Sequence, residues 1–277
     1  VPGPRRSYGV LDTSPNLPAS FDGWNVEKDL GEALEAAADR KLPLALGNDG
    51  NMGGVGEAHR ARGEEACGVV MLAPGSGLGG AYVDAKDESL DGDTLAGMEL
   101  GHLAAPLQLL GVEAIPCGCG RTWGCYEMYT SLAGLPALLD RAIGRYPGHV
   151  LEDPLLGKKE RVMKLRGLAQ EGDALALELF DLQAKAMGLL VAQMAMAVDP
   201  AYVVIGGGLI DPDATTEEFR ERYLGGIAKV AKENLWPTQK DTLKIVAASL
   251  GELSQAIGAA LVARNRAQVQ LEARVMV

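Results

Sequence analysis

The sequence predicts an α/β protein. Short apolar runs, of which Cys67–Ala73 and Tyr202–Ile205 are the clearest, are typical of buried strands. Between such runs lie longer stretches with apolar residues at helical spacing, and the longest covers Ala174–Val198. Strands that alternate with helices favour α/β architecture.

The first elements lead to a pair of polar residues. Loose alternation from Gly9 to Ser14 predicts a short strand or hairpin, and Asn25 can cap an amphipathic helix. The apolar run Leu42–Leu46 then predicts a buried strand. Asn48 and Asp49 would follow its carboxyl end, where ligands bind in open α/β sheets.

The next elements form a glycine-rich hairpin. A helix is predicted over Gly50–Arg62 despite its glycines, each of which costs about 1 kcal/mol relative to alanine. The strand Cys67–Ala73 follows, and a loop over Gly75–Gly80 leads directly into a second strand at Ala81–Val83.

Helices dominate the remaining sequence. The stretch 146–159 is polar and contains proline and glycine, which predicts a surface loop. Strand 202–205 runs straight into Gly206, Gly207 and Gly208, so a strand followed by glycines occurs a second time. The other predicted elements are helices over 127–133, 136–145 and 174–198, a helix from a capping box of Thr215 and Glu218 to about Asn234, a strand over 243–247 and a last helix from about Ser254.

Composition excludes some classes of function. The 277 residues carry a net charge of −11, which argues against broad electrostatic binding to nucleic acid or anionic membranes. No apolar run approaches the roughly 18 to 20 residues that span a bilayer, and the first residues lack a signal-peptide pattern. We therefore expect a cytoplasmic protein without a membrane or nucleic-acid partner.

The first glycine segment has two interpretations. Gly75, Gly77 and Gly80 match GxGxxG, but a strand follows where a dinucleotide fingerprint requires a helix. Small residues expose backbone N–H groups, and Ser76 adds a hydroxyl donor, which favours a phosphate cradle that would also include Gly79. The alternative is an ordinary tight turn.

Asp49 also has two interpretations. In the sequence Asn48-Asp49-Gly50 it can simply be a capping or turn residue. Its position after a predicted buried strand instead suits a general base, which takes a proton from a hydroxyl that attacks a phosphoryl group.

A cysteine cluster predicts a metal site. Cys117, Cys119 and Cys125 offer three soft ligands on a tight loop, and tetrahedral Zn²⁺ needs one more, for which His102 is the best candidate. The alternative is a set of reduced buried thiols. Glu99 and Glu127 flank the cluster, either as solvated surface acids or as fixed acceptors for sugar hydroxyls.

These segments together resemble the ROK family of sugar kinases and sugar-responsive transcriptional repressors. The resemblance runs through essentially the whole chain. It rests on the segment at Asn48 and Asp49, the glycine loop at 75–80, Glu99-Leu100-Gly101-His102, the cysteine cluster that ends at Glu127, and Gly206–Gly208, all in family order.

The resemblance implies an actin-like ATPase (ribonuclease H-like) fold with two lobes around a cleft, and transfer of the γ-phosphoryl of Mg²⁺-bound ATP to a hexose, with glucose at its 6-hydroxyl as the first choice. It also implies a homodimer. The implied roles are a base at Asp49, sugar ligands at Asn48, Glu99, His102 and Glu127, a structural Zn²⁺ at His102, Cys117, Cys119 and Cys125, and nucleotide contacts at Gly75, Ser76, Gly77, Gly79, Gly206, Gly207 and Gly208.

One departure from the family pattern concerns the amino terminus. Residues 1–4 resemble a segment found well inside family members, so we expect the first lobe to be truncated and to lack its DxGGT phosphate segment. Its remnant would be residues 1–48 with the last helix, about 255–277, and the second lobe would be residues 49–254. We expect a hexose kinase if the natural protein contains the missing segment. The alternatives are a catalytically incomplete sugar-binding protein and a sugar-responsive regulator without its DNA-binding domain.

Overall fold

A computed structural model of the chain describes residues 5–7, 9–11, 17–42, 44 and 46–275. Helices and strands alternate, and the fold is the predicted α/β class. The strands are β1 (Arg5–Ser7), β2 (Val10–Leu11), β3 (Val69–Pro74), β4 (Leu78–Val83), β5 (Tyr202–Ile205) and β6 (Lys244–Ala247). The helices are α1 (Val26–Ala38), α2 (Asp49–Arg62), α3 (Leu107–Leu110), α4 (Glu127–Thr130), α5 (Leu135–Ala142), α6 (Lys158–Gln170), α7 (Ala174–Val198), α8 (Glu217–Glu233), α9 (Pro237–Thr242) and α10 (Ser254–Val275).

The chain divides into two compact units. Unit 1 comprises residues 1–71, 80–98 and 249–277, and unit 2 comprises residues 72–79 and 99–248. The division passes through β3 and β4, so each of these strands has residues in both units.

One sheet contains four strands in the order β4-β3-β5-β6. Neighbours β3 and β4 are joined by residues 75–77 alone, so they form the predicted hairpin. Strands β5 and β6 are parallel, with Tyr202 opposite Lys244, and all four residues of β5 are buried. Full burial of an apolar strand is what a central position in an α/β sheet requires.

In unit 1, α2 packs against α10 through glycines. A Cβ placed on Gly56 would lie 2.3 Å from the Ser254 carbonyl oxygen, and one on Gly258 would lie 1.7 Å from the Met52 carbonyl oxygen. Only residues without side chains permit such backbone contact. The glycines that weaken α2 as an isolated helix therefore allow its packing.

In unit 2, α7 forms the centre of the core. Its buried residues lie on several sides of the helix, as its nearly continuous apolar sequence predicts. The Asp173 side chain caps α7 by accepting a hydrogen bond from the Ala176 amide at 2.8 Å. Gly188 of α7 faces α8. A Cβ on Gly188 would lie 2.7 Å from the Ile227 carbonyl oxygen of α8, so these two helices also approach closely.

Several predicted elements need correction. Leu42, Leu44 and Leu46 do not form a strand, and the Leu44 carbonyl accepts a hydrogen bond from the Arg266 side chain at 3.4 Å. Gly79 lies within β4, so the glycine loop predicted over 75–80 is limited to 75–77. The surface loop predicted over 146–159 ends earlier, because α6 begins at Lys158.

The cap of α8 also differs from the prediction. Thr216, not Thr215, accepts the hydrogen bond from the Phe219 amide, at 3.4 Å. The Thr215 hydroxyl donates to the Asp211 carbonyl at 2.8 Å, so this side chain stabilises the preceding turn and does not cap α8. Residues 12–14 of the predicted first hairpin lie outside the described residues. Within the described part of the chain, no helix combines the length and apolarity needed to cross a membrane.

Candidate functional site

Glu127 links the glycine hairpin to the cysteine loop. Glu127 begins α4, and its Oε2 accepts a hydrogen bond from the Leu78 amide at 3.1 Å. A Cβ on Gly77 would lie 2.4 Å from the same oxygen. A side chain at position 77 would therefore force the carboxylate to move.

The four predicted metal ligands lie together. One potential ligand atom from each of His102, Cys117, Cys119 and Cys125 lies within 4.8 Å of the other three. His102 Nδ1 is 3.7 Å from Cys117 Sγ, and Cys119 Sγ is 3.8 Å from Cys125 Sγ. Two thiolates that bind one tetrahedral zinc at about 2.3 Å lie about 3.8 Å apart, so both the donor types and the spacing fit Zn²⁺.

Backbone pairing brings the distant ligands together. Ala104 and Cys125 form an isolated antiparallel bridge, in which the Tyr126 amide donates to the Leu103 carbonyl at 2.9 Å. Gly124 precedes Cys125 with φ of +84°, a conformation that glycine adopts without strain. The bridge holds the segment that contains His102 beside Cys125 although 23 residues separate them in the numbering.

A buried tyrosine fixes the approach to Cys117. The Tyr129 hydroxyl donates to the Glu113 carbonyl at 2.8 Å and accepts from the Ile115 amide at 2.9 Å. Tyr129 is fully buried on α4, two residues after Glu127. The same short helix therefore positions both the carboxylate and the start of the cysteine loop.

The thiols of the cluster differ in acidity. Burial raises the pKa of the Cys117 thiol to about 12. Burial would also raise the pKa of Cys119, but hydrogen bonds with the Arg121 backbone and side chain outweigh it and lower that pKa to about 6. Arg121 thus favours a thiolate at the exposed edge of the cluster.

The two glycine segments meet in unit 2. The Gly206 amide donates to the Leu72 carbonyl at 2.8 Å, and Gly207 has φ of +87°. A Cβ on Gly207 would lie 1.9 Å from the Pro74 carbonyl oxygen at the end of β3. The glycines after β5 therefore lie directly beside the start of the 75–77 loop.

A pocket opens beside these glycines and encloses about 550 Å³ of empty space, part of it open to solvent. Its polar side chains include Arg166 of α6 and Gln183 of α7, neither of which the sequence motifs indicate. The remaining wall is largely apolar and comprises Pro74, Gly75, Thr130, Ser131, Leu132, Leu135, Val162, Met163, Phe180, Gly208 and Leu209.

The glycine segments and the cysteine cluster of unit 2 are the motifs on which the resemblance to the ROK family rests. A comparison of the chain with family sequence patterns tests that resemblance. The sequence pattern of the ROK family matches residues 9–266. The chain therefore belongs to the ROK family. Its fold is the actin-like ATPase fold that solved ROK structures share.

Three similar proteins illustrate the relationship. A glucokinase from Halalkalibacterium halodurans is 30% identical over 190 residues, which are 68% of this chain and 54% of that protein. An N-acetyl-D-glucosamine kinase from Vibrio cholerae is 29% identical over 215 residues, which are 75% of this chain and 66% of that protein. The ROK hexokinase structure from Thermus thermophilus has a TM-score of 0.70 at 29% identity and covers 96% of this chain and 78% of that one. The chain thus spans between half and two thirds of the length of the two curated kinases.

In unit 1 of this ROK chain, the predicted base lies at a helix start. Asn48 caps α2 by accepting a hydrogen bond from the Asn51 amide at 3.2 Å, and half-buried Asp49 is the first residue of the helix. Buried Asn51 donates through Nδ2 to Asp91 Oδ1 at 2.6 Å. Asn51 and Asp91, which the sequence interpretation did not include, therefore support this helix start.

Glu99 is an exposed residue in unit 2. It precedes the one-turn 3-10 helix Leu100–His102, and its carbonyl accepts a hydrogen bond from the His102 amide at 3.1 Å. His102 is half-buried, and its Nδ1 faces Cys117. The structure therefore brings His102 and Glu127 to the cysteine cluster and leaves the Glu99 side chain exposed.

Proposed function

We propose that the chain phosphorylates a hexose with ATP, and that glucose at its 6-hydroxyl is the preferred substrate. The observation that carries the proposal is the position of Glu127, which contacts the glycine hairpin through Leu78 and lies 3.7 Å from Cys117 Sγ through its Oε1. A carboxylate whose Oε2 is held by a backbone amide is a preorganised acceptor for a sugar hydroxyl. Similarity to a glucokinase and to an N-acetyl-D-glucosamine kinase supports a hexose as the substrate class.

In this proposal, Glu99, Glu127, His102 and Asn48 hold the sugar. His102 Nδ1 faces the cysteine cluster, so Nε2 is the ring nitrogen that remains for a sugar hydroxyl. Glu99 and Glu127 accept hydrogen bonds from hydroxyl groups, which are stronger for a charged acceptor.

Asp49 serves as the general base. As the sugar hydroxyl attacks the γ-phosphorus of ATP, its proton passes to the Asp49 carboxylate, the new O–P bond forms and ADP leaves. Asp49 is the first residue of α2, so the helix start that Asn48 caps fixes its position.

The nucleotide contacts in the proposal come from the two glycine segments. The pocket beside Gly208 takes the adenosine, because its wall is largely apolar and suits a flat base. The Gly75 amide already donates to the Gly77 carbonyl at 2.8 Å, so Ser76 and Gly77 supply the N–H groups for phosphate. Mg²⁺ bound with the ATP would supply charge neutralisation at the phosphates.

The cysteine cluster holds a structural zinc ion in this proposal. His102, Cys117, Cys119 and Cys125 would complete the four ligands of a closed site, which contributes folding energy and leaves no position for substrate. Its function would be to fix Glu127 and His102 in place for the sugar.

The test is a phosphorylation assay of the whole chain with Mg²⁺-ATP and a panel of glucose, N-acetylglucosamine, mannose and fructose. We expect turnover with glucose, and we expect Asp49→Asn to abolish it while calorimetry still detects sugar binding. Asp39→Asn is the matched control, because Asp39 ends α1 in a left-handed conformation that asparagine also adopts. Sugar binding by the unchanged chain without any turnover would contradict the kinase proposal, and full activity of Asp49→Asn would contradict the base assignment.

A further inference from the structure

The pocket beside the 206–208 glycines contains a buried amide whose orientation is fixed. Gln183 lies on α7, has 1% of its surface exposed and lines the pocket. Its Nε2 donates to the Ser131 carbonyl at 3.1 Å. The reversed amide would place Oε1 against that carbonyl oxygen, and two acceptors repel each other, so only one orientation is favourable.

This orientation leaves Oε1 available as an acceptor. Among the described residues, no donor contacts Gln183 Oε1. Oε1 is not sealed from solvent but faces the open pocket, where water or a ligand donor can pair with it. The atom therefore favours a ligand that brings an N–H or O–H group to this part of the pocket.

The neighbouring polar side chains do not duplicate this function. The Thr130 hydroxyl donates to the Tyr126 carbonyl at 2.9 Å, and the Ser131 hydroxyl donates to the Glu127 carbonyl at 2.7 Å. Arg166, the other pocket-lining residue with a polar side chain, is only a donor. Gln183 Oε1 thus provides this wall with a side-chain acceptor that no described residue occupies.

We propose that Gln183 Oε1 accepts a hydrogen bond from the 6-amino group of adenine and so selects ATP over GTP as the phosphoryl donor. This inference rests on the proposed function, because it requires the pocket to be the nucleotide site. Adenine carries an amino donor at position 6, whereas guanine carries a carbonyl oxygen there. In the same pose, guanine would place its carbonyl oxygen at position 6 against Gln183 Oε1. Both atoms are acceptors, so neither would be paired, and a buried site binds such a ligand much more weakly.

The test compares three triphosphates by calorimetry on the whole chain without sugar: ATP, GTP and purine riboside 5′-triphosphate, which lacks the 6-amino group. We expect the unchanged chain to bind ATP about three- to tenfold more tightly than the purine analogue, as one hydrogen bond gives, and GTP more weakly still. In Gln183→Met, which preserves length and apolar packing, ATP and the purine analogue should bind within about twofold of each other.

Gln239→Met is the matched control. Gln239 also donates through Nε2 to a helix carbonyl, that of Ala195 at 2.9 Å, but it does not line the pocket. It should retain the preference for ATP. Equal affinities for ATP and the purine analogue in the unchanged chain, or a preference retained in Gln183→Met, would overturn the inference and leave the kinase proposal intact. If Gln183→Met fails to fold, the affinities of the unchanged chain for ATP and for the purine analogue still test the inference. Failure of all three triphosphates to bind would overturn the nucleotide assignment of the pocket as well.

Discussion

The Glu127 carboxylate accepts a hydrogen bond from the Leu78 amide at 3.1 Å, although the two residues are 49 positions apart. Leu78 is the first residue of β4, and Glu127 is the first residue of α4. This one bond connects the strand hairpin to the segment that carries the cysteine cluster. A substitution in the hairpin should therefore alter the position of the Glu127 carboxylate, and a substitution of Glu127 should affect the hairpin.

Gly77→Ala tests this connection from the hairpin side. The added methyl group would lie 2.4 Å from Glu127 Oε2, so the carboxylate must move and its bond to Leu78 must lengthen or break. We expect sugar affinity to fall about tenfold or more and the free energy of unfolding to fall by about 1–3 kcal/mol. Isothermal calorimetry and urea denaturation measure the two effects. Gly75→Ala is the control for both, because its Cβ would meet open space, and an equal loss in the two variants would argue against the steric explanation.

Glu127→Gln tests the charge of the same side chain. The amide oxygen can still accept from Leu78, so the fold should persist, but a neutral acceptor binds sugar hydroxyls more weakly. We expect sugar affinity to fall about 5- to 10-fold, since a hydrogen bond to a charged acceptor contributes roughly 1–1.5 kcal/mol more than one to a neutral acceptor. Glu113→Gln is the control, because the exposed Glu113 anchors the loop through its carbonyl and not through its side chain. Unchanged sugar affinity in Glu127→Gln would remove Glu127 from the sugar site.

Metal analysis tests the cysteine cluster. We expect one zinc ion per chain, its loss in Cys125→Ser and its retention in Cys67→Ser, because Cys67 lies outside the cluster. Elemental analysis of the purified variants gives the stoichiometry. A cobalt-substituted chain should show a thiolate-to-cobalt absorption band that Cys125→Ser weakens.

Removal of the metal should lower stability. A ligand that binds only the folded chain stabilises it by about 2.7 kcal/mol at a hundredfold excess over its Kd. A strong chelator should therefore lower Tm by several degrees, and readdition of zinc should restore it. A Tm that does not respond to the chelator, in a chain free of zinc from the start, would show that the four residues are only reduced thiols and an imidazole.

Glu57→Gln tests the start of α10. The carboxylate of buried Glu57 accepts hydrogen bonds from the Ser249 and Leu250 amides, the shortest at 2.8 Å. Glutamine replaces one acceptor oxygen by a donor, which opposes an N–H group, so we expect a loss of about 1–3 kcal/mol in urea denaturation. Glu35→Gln on the exposed surface of α1 should change stability by less than about 0.5 kcal/mol. Equal effects of the two changes would contradict the structural function of Glu57.

Much of the fold could be predicted because its signals are local. The apolar runs that became β3 and β5 are buried strands, and the predicted bounds of α7 are those observed. The leucine-rich run at 42–46 has equally apolar composition, but a strand also needs a neighbour to pair with, which composition does not supply. Helix α6 was not predicted, because its buried positions are few and its sequence is mostly polar.

The candidate site was predictable where residues form a compact motif. Cys117, Cys119 and Cys125 lie close in sequence, and the single histidine chosen to join them lies within the cluster. Asp91 and Gln183 have no such signal, because each acts through a partner that only the tertiary structure brings near. Isolated polar residues in a helix or loop are common, so a sequence alone does not distinguish these two.

The glycine contacts between α2 and α10 also affect the order in which the chain can fold during synthesis. Met52 and Gly56 emerge from the ribosome some two hundred residues before Ser254 and Gly258, yet their backbones touch in the folded unit. Such distant contacts form late, since a long loop must close first. Until α10 has been synthesised, α2 lacks the helix that covers its Gly56 surface, so this part of unit 1 cannot complete its packing earlier.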